Sequence, residues 1–179
     1  MIKENEILKF NKNKSLLIDI FSNQIIPFWS KKGVDEFGGF IEEIDINKKK
    51  IILAKRTRVT CRQIYVFQFA KKIGIKNCDH LIKHGADFLF DKLLNEMDMF
   101  IYSYSEIENT SNLNCYLYEQ AFALLAMAYI YKNLPIYASK SINQAEKVIK
   151  SIINNWGIDL RTIQDAGQKI IYSDPYMHL

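Results

Sequence analysis

The chain has 179 residues, of which 49% are apolar and 25% charged. This composition is typical of one soluble globular domain and argues against a disordered chain. The net charge of +4 comes from dispersed lysines with few arginines, which argues against nucleic-acid binding. No secretory signal opens the sequence, and the longest apolar run, 121–131, is too short to cross a bilayer. We therefore expect a cytoplasmic protein with no membrane partner.

Apolar spacing predicts a mainly helical chain. In chain order, the predicted elements are a helix over 14–29, a β-hairpin with strands at 40–44 and 51–53, helices over 57–72 and 77–94, an irregular or hairpin-like stretch over 95–115, helices over 116–131 and 136–154, and a loop over 161–174. The segment 116–131 is apolar nearly all round, which indicates a buried helix.

The four later helices form two pairs, each with one more apolar member and one amphipathic member. The more apolar helices are 57–72 and 116–131, and the amphipathic ones are 77–94 and 136–154. Such alternation is typical of inner and outer helices in an α/α ring or an α-solenoid. The hairpins then lie between the pairs, at one end.

The last six residues read as the beginning of another helix. Pro175 suits the first helical position, and Met177 and Leu179 would begin the apolar face. We therefore expect the chain to stop where a further helix starts.

Five segments, in register, resemble the N-acylglucosamine 2-epimerase family of sugar epimerases and isomerases. They are Trp29 with Gly33-Val34-Asp35 and Gly38-Gly39-Phe40; the segment from Lys55 to Gln63; His84-Gly85 with Phe88-Leu89; the segment from Tyr118 to Leu124; and Asp174-Pro175-Tyr176-Met177-His178-Leu179. The second segment, with Arg56-Thr57-Arg58-Val59 and Arg62-Gln63-Ile64-Tyr65, is most similar to members described as mannose or mannose-6-phosphate isomerases.

The resemblance implies an all-α fold, the N-terminal half of an (α/α)6 barrel with short β-hairpins between helix pairs. Residues 1–179 would form one partial barrel domain, truncated at the start of the sixth helix. The family reaction moves a proton at the carbon next to a sugar carbonyl and implies no metal or redox cofactor. Its two catalytic histidines belong to the half that this chain would lack, so we expect the chain alone to be inactive.

Three residues are candidate substrate contacts by this resemblance. Arg62 matches the family's substrate-binding arginine, and its forked donors suit a developing negative oxygen. His178 would line the pocket, with an idle, solvated histidine as the alternative. Asp174 replaces the usual asparagine and, when ionised, only accepts hydrogen bonds, which alters that contact.

Other polar and aromatic groups allow a functional and a structural interpretation. Asp35, Glu42 and Glu43 could form an acid–base pair, but we interpret them as turn and strand-surface groups because no partner base is near in sequence. His80 and His84 have a metal-ligand spacing without a third ligand, so no metal site is expected. The odd number of cysteines, three, without a C-x-x-C pair predicts reduced thiols. Trp29, Tyr118 and Phe122 could stack on a sugar but are interpreted as core.

Three hypotheses for function remain at this stage. The first is a sugar epimerase or aldose–ketose isomerase acting on mannose, mannose 6-phosphate or an N-acylglucosamine type of sugar. The second is a non-catalytic helical module that binds carbohydrate or protein, with a homodimer or a complementing C-terminal half as partner. The third is another α/α-toroid enzyme, such as a glycoside hydrolase, which would need paired carboxylates at the barrel mouth.

Overall fold

The computed structural model describes residues 4–156. Their elements in chain order are α1 Glu4–Ile20, a π-helical turn Phe21–Ile25, α2 Ile26–Lys32, β1 Glu43–Ile44, β2 Lys50–Ile51, β3 Lys55–Arg56, α3 Thr57–Lys72, α4 Asp79–Lys92, β4 Ser103–Ser105, β5 Thr110–Asn112, α5 Leu117–Asn133, a 3₁₀ turn Pro135–Tyr137, and α6 Ala138–Trp156. The predicted loop over 161–174 and the predicted helix start after Asp174 lie outside this range.

The first helical stretch is longer than the predicted helix over 14–29, since α1, the π turn and α2 run without interruption from Glu4 to Lys32. Pro27 has no N–H to donate and its ring crowds the preceding turn, so the backbone widens just before it. The amide of Ile26 accordingly bonds the carbonyl of Phe21, five residues back. The stretch ends where the Gly33 amide caps the Trp29 carbonyl at 2.8 Å.

A glycine turn follows α2 and packs against α4. Gly38 and Gly39 both have positive φ values, 108° and 67°, which residues other than glycine rarely adopt. A Cβ at Gly39 would lie 2.8 Å from the ring of Phe88, so only glycine permits this approach. The first hairpin then forms as predicted but shorter, with Glu43 opposite Ile51.

The two predicted helix pairs are confirmed. The helix α3 packs against both α4 and α5, and α5 packs against α6, so α3 and α5 are the adjacent inner helices and α4 and α6 flank them. Their contact faces form one core with Ile64, Phe67, Leu89 and Met127, all at most 1% exposed. Burying these side chains contributes about 1.5–3 kcal/mol each.

A three-stranded antiparallel sheet, in the order β3-β4-β5, closes the N-terminal ends of the inner helices. The helix α3 starts directly from β3, and the Thr57 hydroxyl donates to the Ile101 carbonyl at 2.6 Å. The side chain of Gln120, on α5, bonds both the amide and the carbonyl of Phe100. These buried bonds fix the first turns of α3 and α5 beside the sheet, and so beside each other.

Candidate functional site

The first turns of α3 and α5 carry a group of arginine and aromatic side chains, which we call the arginine–tyrosine cluster. Its members are Arg58 and Arg62 of α3, Tyr102 just before β4, and Tyr118, Glu119 and Phe122 of α5. The residues of α3 are four apart, one helical turn, and those of α5 span the same distance, so each set lies on one helix face. The packing of α3 on α5 makes the two faces meet.

Arg62 is exposed and lies against two aromatic residues of α5, Tyr118 and Phe122. Its Nη2 donates to the Tyr118 hydroxyl at 2.8 Å. Its Cζ is 4.5 Å from the ring centroid of Phe122 and 5.8 Å from that of Tyr118, distances typical of cation–π contacts. The guanidinium is therefore held against the rings of α5 while the residue as a whole stays exposed.

Arg62 differs from the other two arginines of the segment 55–63 in that each of those two is paired with a carboxylate. Arg58 pairs with Glu119 at 2.7 Å and Arg56 with Glu42 at 2.6 Å. Within residues 4–156, no carboxylate lies within ion-pair distance of Arg62. The cluster therefore presents one positive charge that the described carboxylates do not neutralise, at the ends of two inner helices.

A sequence profile of the N-acylglucosamine 2-epimerase (GlcNAc 2-epimerase) family matches residues 39–179. The chain belongs to this family. It is 29% identical over 161 residues to a mannose-6-phosphate isomerase of Rhizobium meliloti (strain 1021), a match that covers 86% of the chain and 41% of that protein.

Two solved structures of family-like enzymes share the fold. A cellobiose 2-epimerase from Bacillus thermoamylovorans B4167 superposes with a TM-score of 0.76 at 18% identity, over 92% of this chain and 48% of that one. A D-mannose isomerase superposes with a TM-score of 0.74 at 16% identity, over 91% and 43%. The described helices are thus part of an (α/α)6 barrel, as predicted, and the chain spans less than half the length of each of these relatives.

The structure places one of the three candidate substrate contacts in the cluster. Arg62 lies there, whereas Asp174 and His178 lie outside the described residues. The interpretation of Tyr118 and Phe122 as core is confirmed, since Phe122 is 7% exposed in the core and half-buried Tyr118 packs against it. Both also contact Arg62. Trp29 instead packs at the end of α2, edge-on to Phe28.

Sequence reasoning did not assign Arg58, Glu119 or Tyr102 to the site. The spacing of Arg58 and Arg62, one helical turn, was the available signal, since it puts both guanidinium groups on one face of α3. Nothing in the sequence indicates that Glu119, 61 residues away, pairs with Arg58.

Asp35 is a turn group as predicted, because its Oδ1 accepts from the Phe37 amide, but the turn is buried. The interpretation of Glu42 as a strand-surface group is wrong. Asp35 is 7% exposed and pairs with Lys55 at 2.8 Å. The Glu42 side chain is 1% exposed and accepts bonds from both the backbone and the guanidinium of Arg56. Glu43, on β1, is exposed as expected. The two buried carboxylates are neutralised by basic partners and stabilise loops, so they do not form an acid–base pair.

The pKa values of two groups in these pairs reflect their partners. Hydrogen bonding to Glu42 raises the pKa of Arg56, against the opposing effect of burial. Burial by itself would raise the pKa of Asp35, but hydrogen bonds from Lys55 and the Phe37 amide outweigh it and hold that pKa below its ordinary value.

The histidine pair on α4 does not converge on one point. The Nε2 of His84 lies 2.7 Å from the Gly39 carbonyl, and its ring packs edge-on against Phe40. His80 is exposed at the start of the helix. In the described part of the chain, no three histidine, cysteine or carboxylate side chains are grouped as metal ligands would be. The searched helices include none that is long and apolar enough to span a membrane.

Proposed function

We propose that this chain supplies part of the sugar site of an aldose–ketose isomerase or 2-epimerase. The observation that carries the proposal is the Arg62 guanidinium, held by Tyr118 and Phe122 and without a neutralising carboxylate among the described residues. In this chemistry a base removes the proton from the carbon next to the carbonyl, and the carbonyl oxygen becomes an enediolate oxygen. A fixed, uncompensated cation stabilises that negative charge where it develops.

The same arrangement suits an open-chain sugar. The exposed guanidinium of Arg62 can bond the carbonyl and a neighbouring hydroxyl, while the Tyr118 hydroxyl offers a further polar contact. Returning the proton to the former carbonyl carbon, with transfer of the hydroxyl proton to the former carbonyl oxygen, gives the isomerised sugar. Returning it to the same carbon from the other face, with the carbonyl re-formed, gives the epimer. Neither outcome changes the combined oxidation level of the two sugar carbons involved, so the reaction needs no redox cofactor.

Mannose or mannose 6-phosphate is the substrate we propose. The relative from Rhizobium meliloti is named as a mannose-6-phosphate isomerase and one structural neighbour as a D-mannose isomerase. Asp174 and His178 remain proposed as further substrate contacts on the strength of the family resemblance alone.

We further propose that the 179-residue chain by itself does not turn over these sugars, and that the rest of the barrel comes from a complementing C-terminal half. The chain's coverage of only 41–48% of the length of its three relatives supports this proposal. So does the exposed apolar surface of α1, where Phe10 is 68% and Leu17 67% exposed. These side chains, with Phe21 and Phe69, line an open groove of 530 Å³. The alternative is a homodimer, in which a second copy of the chain covers the groove.

A completed protein provides the test. It is the 179-residue chain joined to the part of the Rhizobium meliloti isomerase that this chain does not match. We expect the completed protein to interconvert mannose and fructose, or their 6-phosphates, and the chain alone to show no turnover. Turnover by the purified 179-residue chain would refute the claim of inactivity.

Replacing Arg62 tests the site itself. In the completed protein, Arg62→Met is expected to lower kcat/KM by about 10²- to 10³-fold, because a transition-state contact is lost. Arg56→Lys is the control, since Arg56 lies on the same segment but pairs with Glu42. Arg62→Met with wild-type rates would contradict the role of Arg62. Sugar binding without turnover by a well-folded completed protein would favour the non-catalytic binding module.

A further inference from the structure

Arg58 contacts the same tyrosine as Arg62 does, from one helical turn earlier on α3. Its Nη1 donates to Glu119 Oε1 at 2.7 Å, and the Glu119 side chain is 1% exposed. Its Nη2 lies 3.4 Å from the Tyr102 hydroxyl, at the long end of a hydrogen bond. The side chain of Arg58 is 22% exposed, so its charge is largely withdrawn from solvent and neutralised by one carboxylate.

The guanidinium of Arg58 also lies against two aromatic rings. Its Cζ is 5.2 Å from the centroid of Tyr102 and 5.8 Å from that of Tyr118. Tyr118 is in turn the residue whose hydroxyl accepts the hydrogen bond from Arg62. Because Glu119 is the next residue of α5, the ion pair fixes the backbone beside Tyr118 while the guanidinium contacts its ring.

We propose that Arg58 is a positioning residue of the sugar site, which with Glu119 holds Tyr118 in place and thereby fixes the direction of the Arg62 guanidinium. The inference rests on the proposed function for its catalytic consequence, but its structural part does not. Arginine suits the role because its planar fork bonds a carboxylate at one nitrogen while the plane covers rings, whereas a lysine ammonium can satisfy only the charge.

Neutralisation is the second part of the role. If Arg58 lacked Glu119, two guanidinium groups one turn apart would repel each other and both would attract solvent anions. With the pair formed, Arg62 is left as the cation available to the substrate. Arg58 therefore acts through Tyr118 and Arg62, and it is not itself assigned a contact with the sugar.

Arg58→Lys and Arg56→Lys are matched variants for testing this role. Each arginine pairs with one carboxylate that is 1% exposed, and each lysine variant keeps a positive charge beside that carboxylate. The first measurement is the NMR order parameter of the Arg62 Nε–H vector in the 179-residue chain. Arg58→Lys is expected to lower that order parameter by about a third, while Arg56→Lys leaves it unchanged. An unchanged order parameter in Arg58→Lys overturns the inference, whatever the enzyme assays show.

The second measurement uses the same variants in the completed protein. Arg58→Lys is expected to lower kcat by about 10- to 100-fold with KM changed less than about threefold, because a misdirected Arg62 fails in the transition state more than in binding. In an Arg62→Met background the additional effect of Arg58→Lys should be less than about twofold. A fully additive loss would show that Arg58 does not act through Arg62.

A third variant tests the same role without leaving a buried charge unpaired, in case Arg58→Lys fails to fold. Arg58→Met with Glu119→Gln removes both charges together, so no unpaired charge is left buried. We expect this double variant to fold and to show the same loosened Arg62 as Arg58→Lys. If the completed wild-type protein is inactive on every sugar while Arg58→Lys still loosens Arg62, the proposed function fails and the positioning role stands.

Discussion

Replacing Lys55 by methionine is expected to lower the free energy of unfolding by about 3–5 kcal/mol at pH 7, the usual cost of removing one partner from a buried ion pair. The ammonium is 2% exposed, and each of its three protons has an acceptor. These are Asp35 Oδ2 at 2.8 Å, Glu106 Oε1 at 2.8 Å and the Gly38 carbonyl at 2.5 Å. Methionine has a similar length but removes the cation that pairs with both carboxylates.

The assay is urea unfolding of the 179-residue chain, followed by circular dichroism. Lys71→Met is the control, because Lys71 pairs with Asp79 at 2.5 Å but the two side chains are 38% and 61% exposed. An exposed pair contributes about 0–1 kcal/mol, so the control should unfold nearly as the wild type does. A loss below about 1 kcal/mol in Lys55→Met, equal to that of the control, would refute the reasoning from burial.

The pH dependence gives a second measure of the same interaction. Because the folded pKa of Asp35 is below its ordinary value of 3.8, its contribution to stability is present above that pH and is lost as the pH falls through the folded pKa. In Lys55→Met the Phe37 amide and the charge of Lys50 still lower the pKa of Asp35, but the larger opposing effect of burial is no longer outweighed by Lys55, so that pKa is higher than in the wild type. The difference in stability between the wild type and the variant should therefore shrink as the pH falls through the folded pKa of Asp35, and a difference that stays constant with pH would contradict this account.

Three further outcomes are expected. Gly85→Ala should lower the free energy of unfolding by about 1–3 kcal/mol in a urea titration, because its Cβ would lie 2.6 Å from the ring of Phe40. The hydrogen bond from Tyr137 to Asp87 raises the pKa of that tyrosine to about 12. Its stabilising effect is thus present below about pH 10 and lost as the pH rises through the folded value, and absorbance titration should find one late tyrosine that is missing in Tyr137→Phe. Ellman's reagent should label Cys115 first in the native chain, since the other two thiols are at most 2% exposed; equal rates for all three would contradict the burial pattern.

The amino-acid sequence determined the helices that carry the site. The predicted helix over 57–72 coincides with α3, and the predicted 116–131 differs from α5 by one or two residues. Both follow from apolar spacing on a long segment, which is a local property of the chain. The extension of the first helix back to Glu4 was not predicted, because that part of α1 is polar and its apolar residues are exposed.

Arg62 could be singled out from sequence, but its surroundings could not. The residue type and its position on α3 are local, whereas its partners Tyr118 and Phe122 follow 56 and 60 positions later and approach only because α3 packs on α5. Aromatic residues on an apolar helix carry no sign that distinguishes a core position from the edge of a site.

The buried ion pairs were decided by tertiary structure alone. Asp35 stands in a glycine-containing turn and Glu42 in the segment of the first predicted strand, and in both places a carboxylate is ordinarily solvated. Their cations, Lys55 and Arg56, come 20 and 14 residues later, and the glycine turn and first hairpin bring each pair together out of water. The sequence thus determined which segments become helices and which residues can bear charge. Only the packing of those segments decided which charges are neutralised and that Arg62 is left without a carboxylate among the described residues, because desolvation and pairing depend on distances across the fold.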